Sequence, residues 1–111
     1  MSKIIEKIKI NNHPVFTFHE KHINKAIIIV GNAYGIMPYQ SPLAEKFHTL
    51  GFKPFWFPFR GQENVNGEYS FKNGIEDIDK IVKGIRKIYG DIPLSFVSHC
   101  AGSLITLEYL T

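Results

Sequence analysis

Apolar and polar positions alternate from Ile4 to Ile10 and again from Pro14 to Phe18, with the turn-prone Asn11-Asn12-His13 between them. A period of two on either side of such a cluster predicts a β-hairpin. Beyond His22-Ile-Asn24 the alternation stops, and Lys25 to Val30 is an unbroken run rich in β-branched residues, as expected of a strand covered on both faces. It ends in Gly31-Asn-Ala-Tyr-Gly35, where two glycines let a loop bend away from the strand end.

The period then changes to that of a helix. Ser41 offers an N-cap and Pro42 a first-turn proline; Leu43, Ala44, Phe47 and Leu50 form an apolar stripe and Gly51 a stop. Phe52 to Phe59 reads as a second buried strand with Pro54 near its start and Pro58 near its end, where a missing amide donor is tolerated best. The polar run Arg60 to Gly67 reads as a loop. Asn73 is then a candidate cap with Glu76 three residues on, and Ile75, Ile78, Ile81, Val82, Ile85 and Ile88 repeat at helical spacing. Glu76 with Lys80 and Asp79 with Lys83 are candidate i,i+4 pairs on its outer face. Tyr89-Gly-Asp-Ile-Pro93 breaks that helix, Leu94 to Val97 predicts a third buried strand, and Leu104 to Leu110 the opening of a further helix. A hairpin followed by strand, helix, strand, helix, strand, helix implies an α/β fold: a mostly parallel sheet joined by right-handed crossovers, with helices on both faces.

Composition narrows this in three ways. With 111 residues the chain has room for one domain, and its 44% hydrophobic content suits a packed core. Its longest apolar runs are too short to span a bilayer and Met1 leads into a charged segment, so a cytoplasmic protein is expected. The single cysteine, Cys100, excludes an internal disulfide and is either a buried small hydrophobe or a reactive thiol. A net charge of +3 comes from scattered lysines, which reads as a solvated surface and argues against nucleic-acid binding. The cluster Phe55-Trp-Phe-Pro-Phe59 reads as core.

The chemistry concentrates at Ser98-His99-Cys100-Ala101-Gly102, which has the spacing of G-x-S-x-G with serine in the first glycine position and cysteine in the nucleophile position. Such a turn between strand and helix lifts its central side chain above the sheet, and small neighbours let strand and helix approach. The amide of Ala101 then opens a helix, where free donors and the helix dipole favour a thiolate and a developing oxyanion. Ser98 and Ser103 are rival nucleophiles, but the first precedes the turn and the second faces into the helix. The loop Gly31 to Gly35 lacks both a Gly-Lys-Ser/Thr ending and G-x-G-x-x-G, which argues against a nucleotide site. Arg60 either meets a substrate carboxylate or, as the plainer reading has it, orders the loop after its strand. The early histidines His13, His19, His22 and His48 fit no metal-ligand spacing and read as surface or turn residues; no metal or other cofactor is expected.

Taken together, Ala26-Ile-Ile-Ile-Val-Gly-Asn-Ala-Tyr-Gly35, Leu43-Ala-Glu-Lys-Phe47 with Gly51-Phe52, Phe59-Arg-Gly61 and the cysteine turn resemble the successive N-terminal landmarks of the α/β-hydrolase superfamily. The resemblance covers nearly the whole chain. It departs from the family pattern at Asn32-Ala33, where histidine-glycine is usual, at Pro58, where an aspartate is frequent, and at Ser98. It implies a partial α/β-hydrolase fold, with residues 1–111 forming a single incomplete domain whose C-terminal half is absent. It also implies Cys100 as nucleophile, the amides of Tyr34 and Ala101 as oxyanion donors, and a triad acid and histidine that follow later strands beyond Thr111; His99 fills the variable position of the turn. Cysteine in this position occurs in dienelactone hydrolases, polyhydroxyalkanoate synthases and some thioesterases. The implied activity is therefore acyl-thioester hydrolysis or acyl transfer through an acyl-cysteine, on an ester or thioester substrate that a carrier protein could present. The alternative is a non-catalytic, truncated or split hydrolase-like fragment or binding module that needs a partner half. With the sheet ending on Leu94 to Val97, an apolar edge is expected to invite aggregation or a partner.

Overall fold

The computed structural model describes residues 4–19, 23–31 and 40–111. Its elements run β1 (Ile5–Ile10), β2 (His13–Phe18), β3 (Ala26–Val30), α1 (Gln40–Thr49), β4 (Lys53–Trp56), α2 (Phe71–Tyr89), β5 (Leu94–Ser98) and α3 (Ala101–Leu110). The five strands form one sheet in the order β1-β2-β4-β3-β5. β1, β2 and β4 pair antiparallel, whereas β3 runs parallel to both β4 and β5.

The hairpin turns on Asn11 and Asn12, both left-handed at φ 48° and 69°, the conformation a two-residue turn requires and asparagine tolerates. β3 is the hub. Its alternate residues face opposite layers: Ala26, Ile28 and Val30 pack with Ile78, Ile81 and Ile85 of α2 and Ile105 of α3, while Ile29 packs with Ala44 of α1, Trp56 and Phe18. α2 and α3 thus cover one face and α1 the other, as the unbroken β-branched run predicts.

Several boundaries differ from the sequence pattern for identifiable reasons. α2 is capped by Ser70, whose Oγ accepts from the Asn73 amide at 3.0 Å, and Asn73 lies in the first turn with its own side chain donating to Glu68 O. The extended backbone of Ser70 lets its short hydroxyl reach that free amide. α1 begins at Gln40, so Ser41 is inside the helix and not its cap. β4 is shorter than the apolar run because its ladder with β3 ends at Ile29–Trp56; Phe57 and Phe59 are still buried, edge to face at 5.1 Å. The Pro54 carbonyl accepts from the Thr17 hydroxyl at 2.7 Å, which ties β4 to β2 beyond their short ladder. Leu50 and Ile88, expected within apolar stripes, are exposed. Leu50 lies just past the end of α1, and Ile88 keeps the angular position of Ile81 but stands in the last turn of α2.

Two side chains behave unlike their surface reading. His13 is buried at 2% exposure, its Nε2 2.6 Å from Pro58 O and its ring edge-on to Phe57. Since the carbonyl can only accept, Nε2 carries a proton. Burial lowers the pKa of His13, outweighing the Pro58 hydrogen bond and the charge of Asp77. Glu76 takes Arg60 at 2.9 Å and leaves Lys80, while the expected pair Asp79–Lys83 forms at 2.8 Å.

Candidate active site

β5 enters the sheet alongside β3, and the ladder extends one residue further through His99, whose amide donates to Val30 O at 3.2 Å. The chain then reverses within a single residue. Cys100 has φ 56° and ψ −128°, and α3 starts at the next residue. A non-glycine residue in such backbone costs on the order of 1–3 kcal/mol and persists only where the surroundings over-determine it. Those surroundings are visible here: the Gly102 amide donates to His99 O at 3.1 Å and the Ser103 amide to Cys100 O at 3.0 Å. The closest approach is at Gly102. A Cβ there would fall 1.9 Å from Gly31 O and 3.0 Å from Val30 Cγ1, so only glycine lets α3 pack this tightly on the carboxyl end of β3. The small residue read from the motif is thus a steric necessity.

Cys100 itself is exposed. The Ala101 amide occupies the first position of α3, where backbone donors lack intrahelical acceptors. Tyr34, the other expected oxyanion donor, lies outside the described residues. His99 is exposed beside Cys100, and Ser98 closes β5 ahead of the turn while Ser103 lies inside α3.

Arg60 has a structural role. Its backbone amide and Nε donate to the two carboxylate oxygens of Asp77 at 2.9 and 2.7 Å, and its terminal nitrogen reaches Asn73 O and Glu76. The hydrogen bond with Glu76, then Asp77, raises the Arg60 pKa, and the same contact lowers that of Glu76. Asp77 is fully buried. The guanidinium therefore ties the loop after β4 to the start of α2, the plainer of its two readings. Asp77 escaped sequence analysis although a carboxylate one residue from the isoleucine stripe was the available signal.

Tyr69 also escaped it. Its ring lies 5.9 Å from Phe59 and its backbone is crowded by Gly61, where a Cβ would meet the Tyr69 nitrogen at 2.5 Å. Burial pushes the phenol pKa up. A cavity of about 530 Å³ between α2 and α3 is lined by Arg60, Ile75, Glu76, Asp79, Lys80 and Tyr109, and a second of about 520 Å³ lies beside the hairpin; Cys100 lines neither. Among the described residues no three His, Cys, Asp or Glu side chains group as metal ligands would, and no helix is long and apolar enough to cross a membrane.

No family model and no curated protein matches the sequence. Solved structures do. TT1662 from Thermus thermophilus aligns over 99% of this chain and 52% of its own, with TM-score 0.80 and 13% identity. The esterase Pf2001 from Pyrococcus furiosus aligns over 97% of this chain and 44% of its own, with TM-score 0.80 and 18% identity. An alpha-beta serine hydrolase homologue from Coxiella burnetii gives 97%, 57%, 0.66 and 18% for the same quantities. With its strand order and helices on both faces, the chain has a partial α/β-hydrolase fold. It spans about half the length of TT1662 and Pf2001.

Proposed function

We propose that the chain carries the nucleophile-bearing part of a hydrolase-type acyl-transfer enzyme that acts on acyl thioesters or esters through an acyl-cysteine at Cys100. The observation that carries this reading is the left-handed Cys100, held between β5 and α3 in a fold shared with an esterase and a serine hydrolase homologue. The Cys100 thiolate adds to the acyl carbonyl, and the oxyanion is held by the amides of Ala101 and Tyr34. Collapse expels the leaving thiolate or alkoxide, which takes a proton from a general acid. Water or a second acceptor, deprotonated by that group's conjugate base, then attacks the acyl-cysteine, releases the acyl product and restores the thiolate. Soft sulfur is both a good nucleophile and a good leaving group, which favours thioester exchange over peptide cleavage. The base is a histidine outside this constellation, and a reducing cytoplasm keeps the lone thiol free.

Incubation with a short-chain acyl thioester and with a p-nitrophenyl ester, followed by intact-mass analysis, tests the reading. An acyl adduct on Cys100 that Cys100→Ala abolishes is the expected result, with turnover, where present, falling by roughly a thousandfold or more in that variant. No adduct from either class of substrate would sink the proposal.

A second reading, a non-catalytic or split fragment completed by a partner half, is favoured by one feature. α3 exposes Leu104, Leu107 and Leu110 at 63, 62 and 58% beside the open edge of β5. An adduct without turnover by the chain alone would favour the split form, and no adduct the non-catalytic one.

A further inference from the structure

The hydrogen-bonding phase of β5 is fixed by its ladder with β3. The Ala26 amide donates to Pro93 O at 2.9 Å, and the His99 amide donates to Val30 O at 3.2 Å. Successive residues of a strand turn their peptide groups to opposite edges, so Pro93, Ser95, Val97 and His99 address β3, whereas Leu94, Phe96 and Ser98 turn their amides and carbonyls outward. Among the described residues β3 is the only strand beside β5, and those outward groups have no strand to pair with.

The outward set is complementary to itself. An antiparallel copy related by a two-fold axis at Phe96 brings Leu94 opposite Ser98 and Phe96 opposite Phe96, each a pair that exchanges amide and carbonyl bonds, and no charge lies on the strand. α3 extends the same surface. Ile105 lies against Gly74 of α2 and Tyr109 donates to Asp79, which marks the α2 side of the helix. At about 100° per residue, Leu107 and Leu110 fall roughly 200° and 140° round from Ile105, turned away from α2, and both are exposed. Glu108 is the one charged residue of α3, so two such faces meet with little of the repulsion expected from a net charge of +3. The far edge, β1, carries Glu6, Lys7 and Lys9 and resists pairing, so association through β5 closes at two copies and does not run on into a fibre.

We propose that two copies of this chain associate through the β5 edge and the Leu107 and Leu110 side of α3, with the two β5 strands antiparallel about Phe96. Sedimentation velocity of the 111-residue chain from about 1 to 200 µM tests it, in reductant so that Cys100 forms no disulfide. A species of twice the chain's 12.7 kDa, with a micromolar Kd, is expected. Leu107→Glu and Leu110→Glu should each weaken it roughly tenfold or more, while Leu50→Glu, at an exposed leucine past α1, should leave it unchanged. The register has its own check. In a Cys100→Ala background, Leu94→Cys mixed with Ser98→Cys should give a disulfide-linked dimer on mild oxidation and neither variant alone should, because only unlike positions face each other, at roughly 5.5 Å between Cα atoms. Cys100 takes no part in the contact, so these outcomes stand apart from the acyl-transfer reading. A monomer at every concentration would overturn the proposal and leave the edge to a different polypeptide. So would a dimer indifferent to the leucine substitutions, cross-links formed as readily by either cysteine variant alone, or polydisperse growth without a dimer.

Discussion

The two edges of the sheet are built on opposite rules. β1 alternates isoleucine with Glu6, Lys7 and Lys9, ends in a tight turn, and is tied to α2 through Asn11 and Ile10. β5, Leu94-Ser-Phe-Val-Ser98, carries no charge and lies beside a helix with three exposed leucines. Charged side chains on an edge oppose the addition of another strand, whereas a neutral apolar edge accepts one. One side of this sheet is therefore finished by its own sequence, and the other is chemically fit for further pairing. The exposed Cys100 lies on that second side.

Paired glycine substitutions break this comparison most sharply. Gly102 faces a carbonyl at 1.9 Å, and Gly84 faces the branch methyl Cγ2 of the buried Ile10 at 2.0 Å. A backbone carbonyl cannot rotate away, so Gly102→Ala should cost about 3 kcal/mol and displace the Cys100 turn, while Gly84→Ala should cost about 2 kcal/mol as the stiff, β-branched Ile10 is pushed aside. Urea midpoints of the two variants check the order, and equal losses would mean that the two sides are equally rigid.

His13 gives the β1 side a pH dependence. Its pKa is lowered in the fold, mainly by burial, so the folded state binds fewer protons than the unfolded chain; the associated stability is present above the ordinary value of 6.5 and is lost as pH falls through and below it. Stability should decline as pH falls from roughly 7.5 to 5.5, and His13→Phe should flatten that slope. A slope unchanged in the variant would assign the protons elsewhere.

The smallest change concerns the edges directly. Ser95→Lys should alter stability by less than about 0.5 kcal/mol yet reduce concentration-dependent light scattering, and Lys7→Val with Lys9→Val should increase it.

Much of this was legible in the amino-acid order. The hairpin follows from alternation around Asn11-Asn12, the hub strand from its β-branched run, and the turn at Cys100 from small residues at fixed spacing, because each depends on local backbone preference or on one repeating face. What was not legible depends on partners distant in sequence. Burial of His13 needs Pro58 and Phe57, the role of Arg60 needs Asp77 on another element, and Tyr69 meets Phe59 only once the loop after β4 folds back. The cap of α2 was misplaced by three residues because Asn73 and Ser70 are both good capping side chains, and only backbone conformation distinguishes them.

The position of β3 also bears on the order of assembly. The chain leaves β3 on one side through α1 and returns on the other through α2, so Ala26 meets Leu94 only after everything between them has been made. Closing so long a loop is entropically demanding and is rewarded late in folding. The reversal at Cys100 is therefore expected to take shape last and open first, and its amide hydrogens should exchange with solvent ahead of those in β3 and β4.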